Sequence, residues 1–179
     1  MKNLVFLFAA VVLLSNFAVS QVTSAEVQWT EVVLPEGIKV SFPGKPKTEK
    51  FETPMGGKII KGSRASMTFE GVGFMVQWTE NLDAPIRAEK ELREHYDKIQ
   101  QMLVAKPGRN LIFSRDARSG ENLGRDFAMS TEKETMILKI FVVGNRLYQA
   151  VTTGKIADSN KVSLERRVRF FDSFSLILN

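Results

Sequence analysis

The chain has 179 residues, with 25 basic side chains against 20 acidic ones for a net charge of +5, one histidine and no cysteine. That composition excludes a disulfide scaffold, a thiol nucleophile and any zinc site assembled from histidine and cysteine. The mild positive excess is mostly interleaved with acids, as in Arg87 to Glu94, so no nucleic-acid surface is expected.

Lys2, the unbroken apolar run Leu4 to Leu14 and the small residues of Ala18-Val19-Ser20 form the three parts of a secretory signal. The run is shorter than the roughly 20 residues a membrane helix needs, and Ser15 and Asn16 break it. Residues 1–20 are therefore expected to be removed near Ser20, leaving residues 21–179 as one domain with a net charge of +4. A second acceptable cut after Thr23-Ser24-Ala25 would start the chain at Glu26. No cysteine stands at the cut to carry a lipid, and no Asn-x-Ser/Thr acceptor occurs. The expectation is a secreted or periplasmic bacterial protein with no integral membrane span after cleavage. A domain of this size buries a core without covalent staples.

Trp29 lies in an early extended segment. Ile38, Val40 and Phe42 then alternate with polar residues as a half-buried strand does, until Pro43-Gly44 stops them. Lys47 to Thr53 reads as a more polar strand, and Pro54-Met55-Gly56-Gly57 turns the chain back into Lys58 to Lys61. Ser66 to Thr79 reads as a hairpin, with Met67 and Phe69 alternating before Gly71-Val72-Gly73 and Phe74, Val76 and Trp78 after it. A helix is predicted after Asp83, which would cap it, with Pro85 in the first turn and Pro107-Gly108 beyond its end. Leu92, Tyr96, Ile99 and Leu103 share one face of that helix and must dock on a sheet.

Four strands follow: Asn110 to Ala117, Glu121 to Ser130, Met136 to Val143 and Arg146 to Thr153. Ser119-Gly120 and Gly144-Asn145 supply short joints that tolerate positive φ, which predicts an antiparallel meander. Met136 to Val143 is apolar at both parities, the mark of a strand covered on two faces, and is the candidate for the sheet centre. Ser163 opens a last helix in which Leu164, Val168 and Phe171 recur three to four residues apart. Arg166, Arg167 and Arg169 read as its solvated face. Together the elements predict an α+β fold, an α/β/α sandwich with a central, mainly antiparallel sheet and helices on both faces.

The segment Ser41-Phe42-Pro43-Gly44-Lys45-Pro46, the middle helix, the hairpin Val143 to Gln149 and the ending Phe170-Phe171-Asp172-Ser173-Phe174 resemble bacterial exported domains of the PsbP-like class, named for an extrinsic subunit of photosystem II. The resemblance covers most of residues 21–179 and implies the same sandwich. It also implies a binding or assembly role toward a protein or envelope component. It brings no catalytic, cofactor or metal residues with it.

The residues offer little to catalysis. The chain has no Gly-x-Ser-x-Gly elbow, and His95, its only histidine, flanks an apolar stripe with no recognisable partner. Glu89, Glu91 and Glu94 sit among lysines and arginines on the middle helix, Glu132 and Glu134 flank a turn, and neither set resembles a calcium loop. Gly71-Val72-Gly73 lacks the third glycine and following helix of a phosphate-binding turn. Gly124 marks a bulge or a close backbone approach within its strand. Three residues remain as contacts for a ligand or partner: Trp29, Arg125 and Tyr148. Arg125 shares the parity of Leu123 and Phe127, so it is partly buried and serves either as a structural ion pair or as an anchor. The expected function is an exported, non-enzymatic binding or assembly domain with no cofactor and no metal. The alternative is a small-ligand carrier or enzyme whose site combines carboxylates, Tyr96 or Tyr148 and arginine.

Overall fold

A computed structural model describes residues 27–55, 58–80, 85–86, 88–156 and 161–178. The signal segment, the Gly56-Gly57 turn and the proposed cap Asp83 lie outside the described residues. The strands are β1 (Thr30–Leu34), β2 (Ile38–Phe42), β3 (Lys47–Met55), β4 (Lys58–Phe69), β5 (Val72–Glu80), β6 (Asn110–Ser119), β7 (Asn122–Ser130), β8 (Glu134–Val143), β9 (Arg146–Lys155) and β10 (Ser175–Leu176). The helices are α1 (Glu89–Val104) and α2 (Lys161–Ser173).

Seven strands form one antiparallel sheet in the order β3-β4-β5-β9-β8-β7-β6, and β1-β2-β10 form a second, three-stranded one. The β6 to β9 meander is as the sequence predicts. Its join to β3-β4-β5 is made by β5 against β9, with Val76 opposite Ala150. That pairing puts β9 at the sheet centre and corrects the assignment of β8, which lies one strand away. β8 is still covered on two faces: Leu138, Ile140 and Val142 belong to one apolar cluster, and Phe141 to the other.

Glu70 and Gly71 both adopt positive φ between β4 and β5, which makes a two-residue hairpin turn whose twist matches the strands and places Gly73 inside β5. β4 is longer than the two fragments the sequence suggested, because Gly62 continues the ladder opposite Phe51 and Thr79. α1 buries Leu92, Tyr96, Ile99 and Leu103 against the sheet, as its periodicity requires. Its start is corrected. Ala88 occupies the cap position with no side-chain hydrogen bond, and Pro85 precedes the helix beside Ile86, which bridges to Gly144.

α2 turns a different side inward from the one its spacing suggested. Ser163, Arg167, Phe170 and Phe171 are buried, while Leu164 and Val168 are about half exposed. The reason is Phe170, whose ring meets Phe42 of β2 at 5.2 Å and Phe74 of β5 at 5.3 Å, both edge-on. The arginine run is a solvated face only in part: Arg169 is exposed, Arg166 half-buried and Arg167 buried. Arg166 packs over Phe69 and pairs with Glu70, Arg167 is buried, and Arg169 stacks on Trp29 at 4.4 Å. The fold is therefore α+β and sheet-dominated. The three-stranded sheet shares with α2 the cover that the sequence assigned to a helix alone.

Candidate binding surface

Arg125 points toward α1 from β7. Its guanidinium lies 3.2 Å from both Asp97 of α1 and Asp116 of β6, and donates to Ser114 Oγ at 3.3 Å. Arg93 extends the network by joining Glu89 at 2.7 Å and contacting Asp116, and Arg118 reaches Glu89 at 3.9 Å. A largely desolvated arginine needs such carboxylates, and here they fasten α1 to β6 and β7. Beside them the Tyr96 hydroxyl donates to the Leu123 carbonyl at 2.9 Å and accepts the Val142 N–H at 2.9 Å. Burial is the main cause that pushes this phenol up to about 12. His95 packs edge-on to the Tyr96 ring at 6.4 Å, and its Nε2 has no partner among the described residues. Burial, then Lys98, pulls the imidazole below its usual range.

The structure does not gather the three sequence-derived contact residues. Tyr148 is buried in the central strand, opposite Trp78 and Phe141. Trp29 is half-buried at the margin of that same cluster under Arg169. Arg125 belongs to the opposite side of the sheet. Trp78 is core, and its Nε1–H donates to Ser63 Oγ at 2.7 Å, which donates onward to Glu36 at 3.0 Å.

A more open arrangement lies beside α2, built around Arg115, Asp126 and Lys139, to none of which the sequence analysis gave a role. On the strands facing α2, register places Lys139 of β8 opposite Asp126 of β7, and Asp126 opposite Arg115 of β6. Asp126 Oδ2 accepts from Arg115 at 3.4 Å, and Oδ1 has no partner among the described residues. Burial holds this carboxyl above its usual range against the pull of Lys139 and Arg115. Lys139 donates to the Phe171 carbonyl at 3.4 Å and lies 6.0 Å from its ring centre. Arg115 in turn stacks over Phe113 at 5.3 Å. One turn earlier in α2, Arg167 donates to Thr135 Oγ1 at 2.8 Å, while its Nε and Nη2 have no partner among the described residues. Desolvation lowers its pKa, but a guanidinium remains charged. The signal for Asp126 and Lys139 was present in the sequence. The Thr131–Lys133 turn that joins β7 to β8 sets Ser130 opposite Thr135, which fixes every pair beyond it.

A cleft of about 310 Å³ lies at the far end of α1, lined by Pro107, Gly108 and Thr131 to Glu134. Thr131 Oγ1 accepts the N–H groups of Lys133 and Glu134 there, a turn-forming pattern. No tyrosine or arginine lines it. Among the described residues no group of three or more acidic or histidine side chains is placed to hold a metal, and no helix is long and apolar enough to cross a membrane.

No family model and no curated protein matches the chain. Among solved structures, cyanobacterial PsbP (CyanoP) from Synechocystis sp. PCC 6803 is similar with a TM-score of 0.53 at 8% identity, over 88% of this chain and 97% of that one. The fold is thus PsbP-like, and at that identity the fold alone is shared. The T6SS immunity protein TplEi of Pseudomonas aeruginosa, solved with an "L" peptide, gives a TM-score of 0.43 at 13% identity. That match covers 78% of this chain and 58% of TplEi.

Proposed function

We propose that this chain is an exported, non-enzymatic binding or assembly domain of the PsbP-like class that acts on a protein or envelope partner in the periplasm or medium. The observation that carries the reading is the open surface beside α2, where two half-exposed aliphatic side chains border a strip of charged sheet. Adjacent apolar side chains rimmed by charged groups are the kind of surface that marks a protein contact. The titratable groups elsewhere are engaged in holding the fold: Arg125 in ion pairs, Tyr96 between two strands and Tyr148 within the core. The α/β/α arrangement belongs to the same proposal, supported by α1 and α2 burying their side chains in different apolar clusters.

Affinity capture with the mature chain on envelope and medium fractions tests the function. One protein recovered reproducibly and in stoichiometric amount is the expected result. No reproducible partner, together with turnover on a substrate panel, would overturn it.

A further inference from the structure

At 100° per residue Leu164, Val168 and Phe171 fall along one flank of α2. Phe171 touches Lys139, so that flank looks across β8 toward β7 and β6. Leu164 and Val168 are 55% and 50% exposed there. The strip of sheet beside them carries Phe113 and Arg115 at its outer side, and the Arg115 side chain is 71% exposed. Two cations, Arg115 and Lys139, converge on the single buried carboxylate of Asp126. Lys139 makes no ion pair within 4 Å among the described residues and gives its hydrogen bond to a carbonyl. The strip therefore keeps a positive surplus next to apolar surface.

On the reading of the chain as a binding domain, we propose that this surface takes an acidic segment of a protein partner. An apolar side chain of the segment sits against Leu164, Val168 and Phe113, and a carboxylate is drawn to Arg115 and Lys139. Charge complementarity selects the partner's sign. The shape of the surface selects a chain over a bilayer. Glu165 and Asp172 are exposed on the outward ridge of α2, so a flat anionic membrane laid on the helix meets two acids, whereas a segment lying along β6 reaches the exposed Arg115 without passing them. Strand addition to β6 is disfavoured by the bulge between Leu111 and Phe113 and by the charged Arg115, Asp116 and Arg118 along that edge.

The test selects a displayed library of random peptides on the mature chain, then measures the chosen peptides in solution by fluorescence anisotropy and by amide shifts. Enriched peptides should combine Asp or Glu with Leu or Phe, perturb β6, β7 and α2, and weaken as salt rises. Arg115→Glu and Leu164→Asp should each reduce affinity roughly tenfold. Leu164→Asp, at an exposed position, leaves the thermal midpoint unchanged and so separates lost binding from the loss of the Arg115–Asp126 pair. Arg118→Glu, on the opposite parity of β6, should leave affinity unchanged. Selection of basic or uncharged peptides, indifference to Arg115→Glu, or binding to phosphatidylglycerol vesicles in place of peptides would overturn the proposal. An envelope partner whose capture survives both substitutions would remove this surface while the binding function stands. Failure to find any partner would remove the function itself.

Discussion

Phe141 lies across from Gly124 in the β7–β8 ladder, and its ring fills the space that a side chain at position 124 would need. The Ile140 carbonyl oxygen crowds the same point, and a ladder carbonyl cannot swing aside. The close approach is therefore what this glycine provides, with regular pairing to Ala117 of β6 and Phe141 of β8. The ring also stacks on Phe174 at 5.7 Å, which ties the end of the chain to the sheet. Gly124→Ala should cost roughly 3 kcal/mol through overpacking. Urea unfolding would register it as a lower midpoint at unchanged slope. A midpoint equal to that of the wild type would show that the ring has room to move.

Tyr96 holds β7 and β8 together where their own ladder ends. Tyr96→Phe keeps the ring but leaves the Leu123 carbonyl and the Val142 N–H without their shared hydroxyl. Two unsatisfied buried groups cost on the order of 3 kcal/mol. Hydrogen exchange at Val142 should accelerate in the variant. If exchange there and the thermal midpoint both stay at wild-type values, the hydroxyl is not the clamp.

Asp126 supplies a pH dependence. Its folded pKa lies above the ordinary 3.8 because burial disfavours the anion, so the folded state holds the proton more tightly than the unfolded chain does. Stability then falls as pH rises from 3.8 through the folded value, and the penalty is complete above it. Asp126→Asn removes that penalty. The variant should exceed wild type in thermal midpoint at neutral pH, and the difference should shrink as the pH is lowered. A variant less stable at neutral pH would mean that the contacts to Arg115 and Lys139 outweigh desolvation.

Export predicts a processed chain. Mass spectrometry of protein from its native host should find a mature start at Gln21 or Glu26, in the envelope or the medium. An intact Met1 on cytoplasmic protein would refute the localisation.

Local pattern alone sets which residues alternate, which face of α1 is apolar and where the chain turns between β8 and β9. These are local matters of period and of backbone freedom, as the burial of Leu92, Tyr96, Ile99 and Leu103 and the Gly144-Asn145 joint illustrate. The close approach at Gly124 was one of two readings that the sequence offered, and Arg125 could be placed on the side of its apolar neighbours by parity alone. Other features needed contacts between distant parts of the chain. The two-residue strand β10 exists because Ser175 and Leu176 pair with Lys39 and Ile38, and the centre of the sheet is set by β5 meeting β9. α2 is the clearest case. Leu164-Val168-Phe171 and Ser163-Arg167-Phe170 both satisfy a helical period, so spacing could not choose between them. The tertiary structure decided by wedging Phe170 between Phe42 and Phe74, which turns Arg167 inward and leaves Leu164 and Val168 facing out. The candidate surface exists because packing against two sheets at once outweighed the burial of two aliphatic side chains.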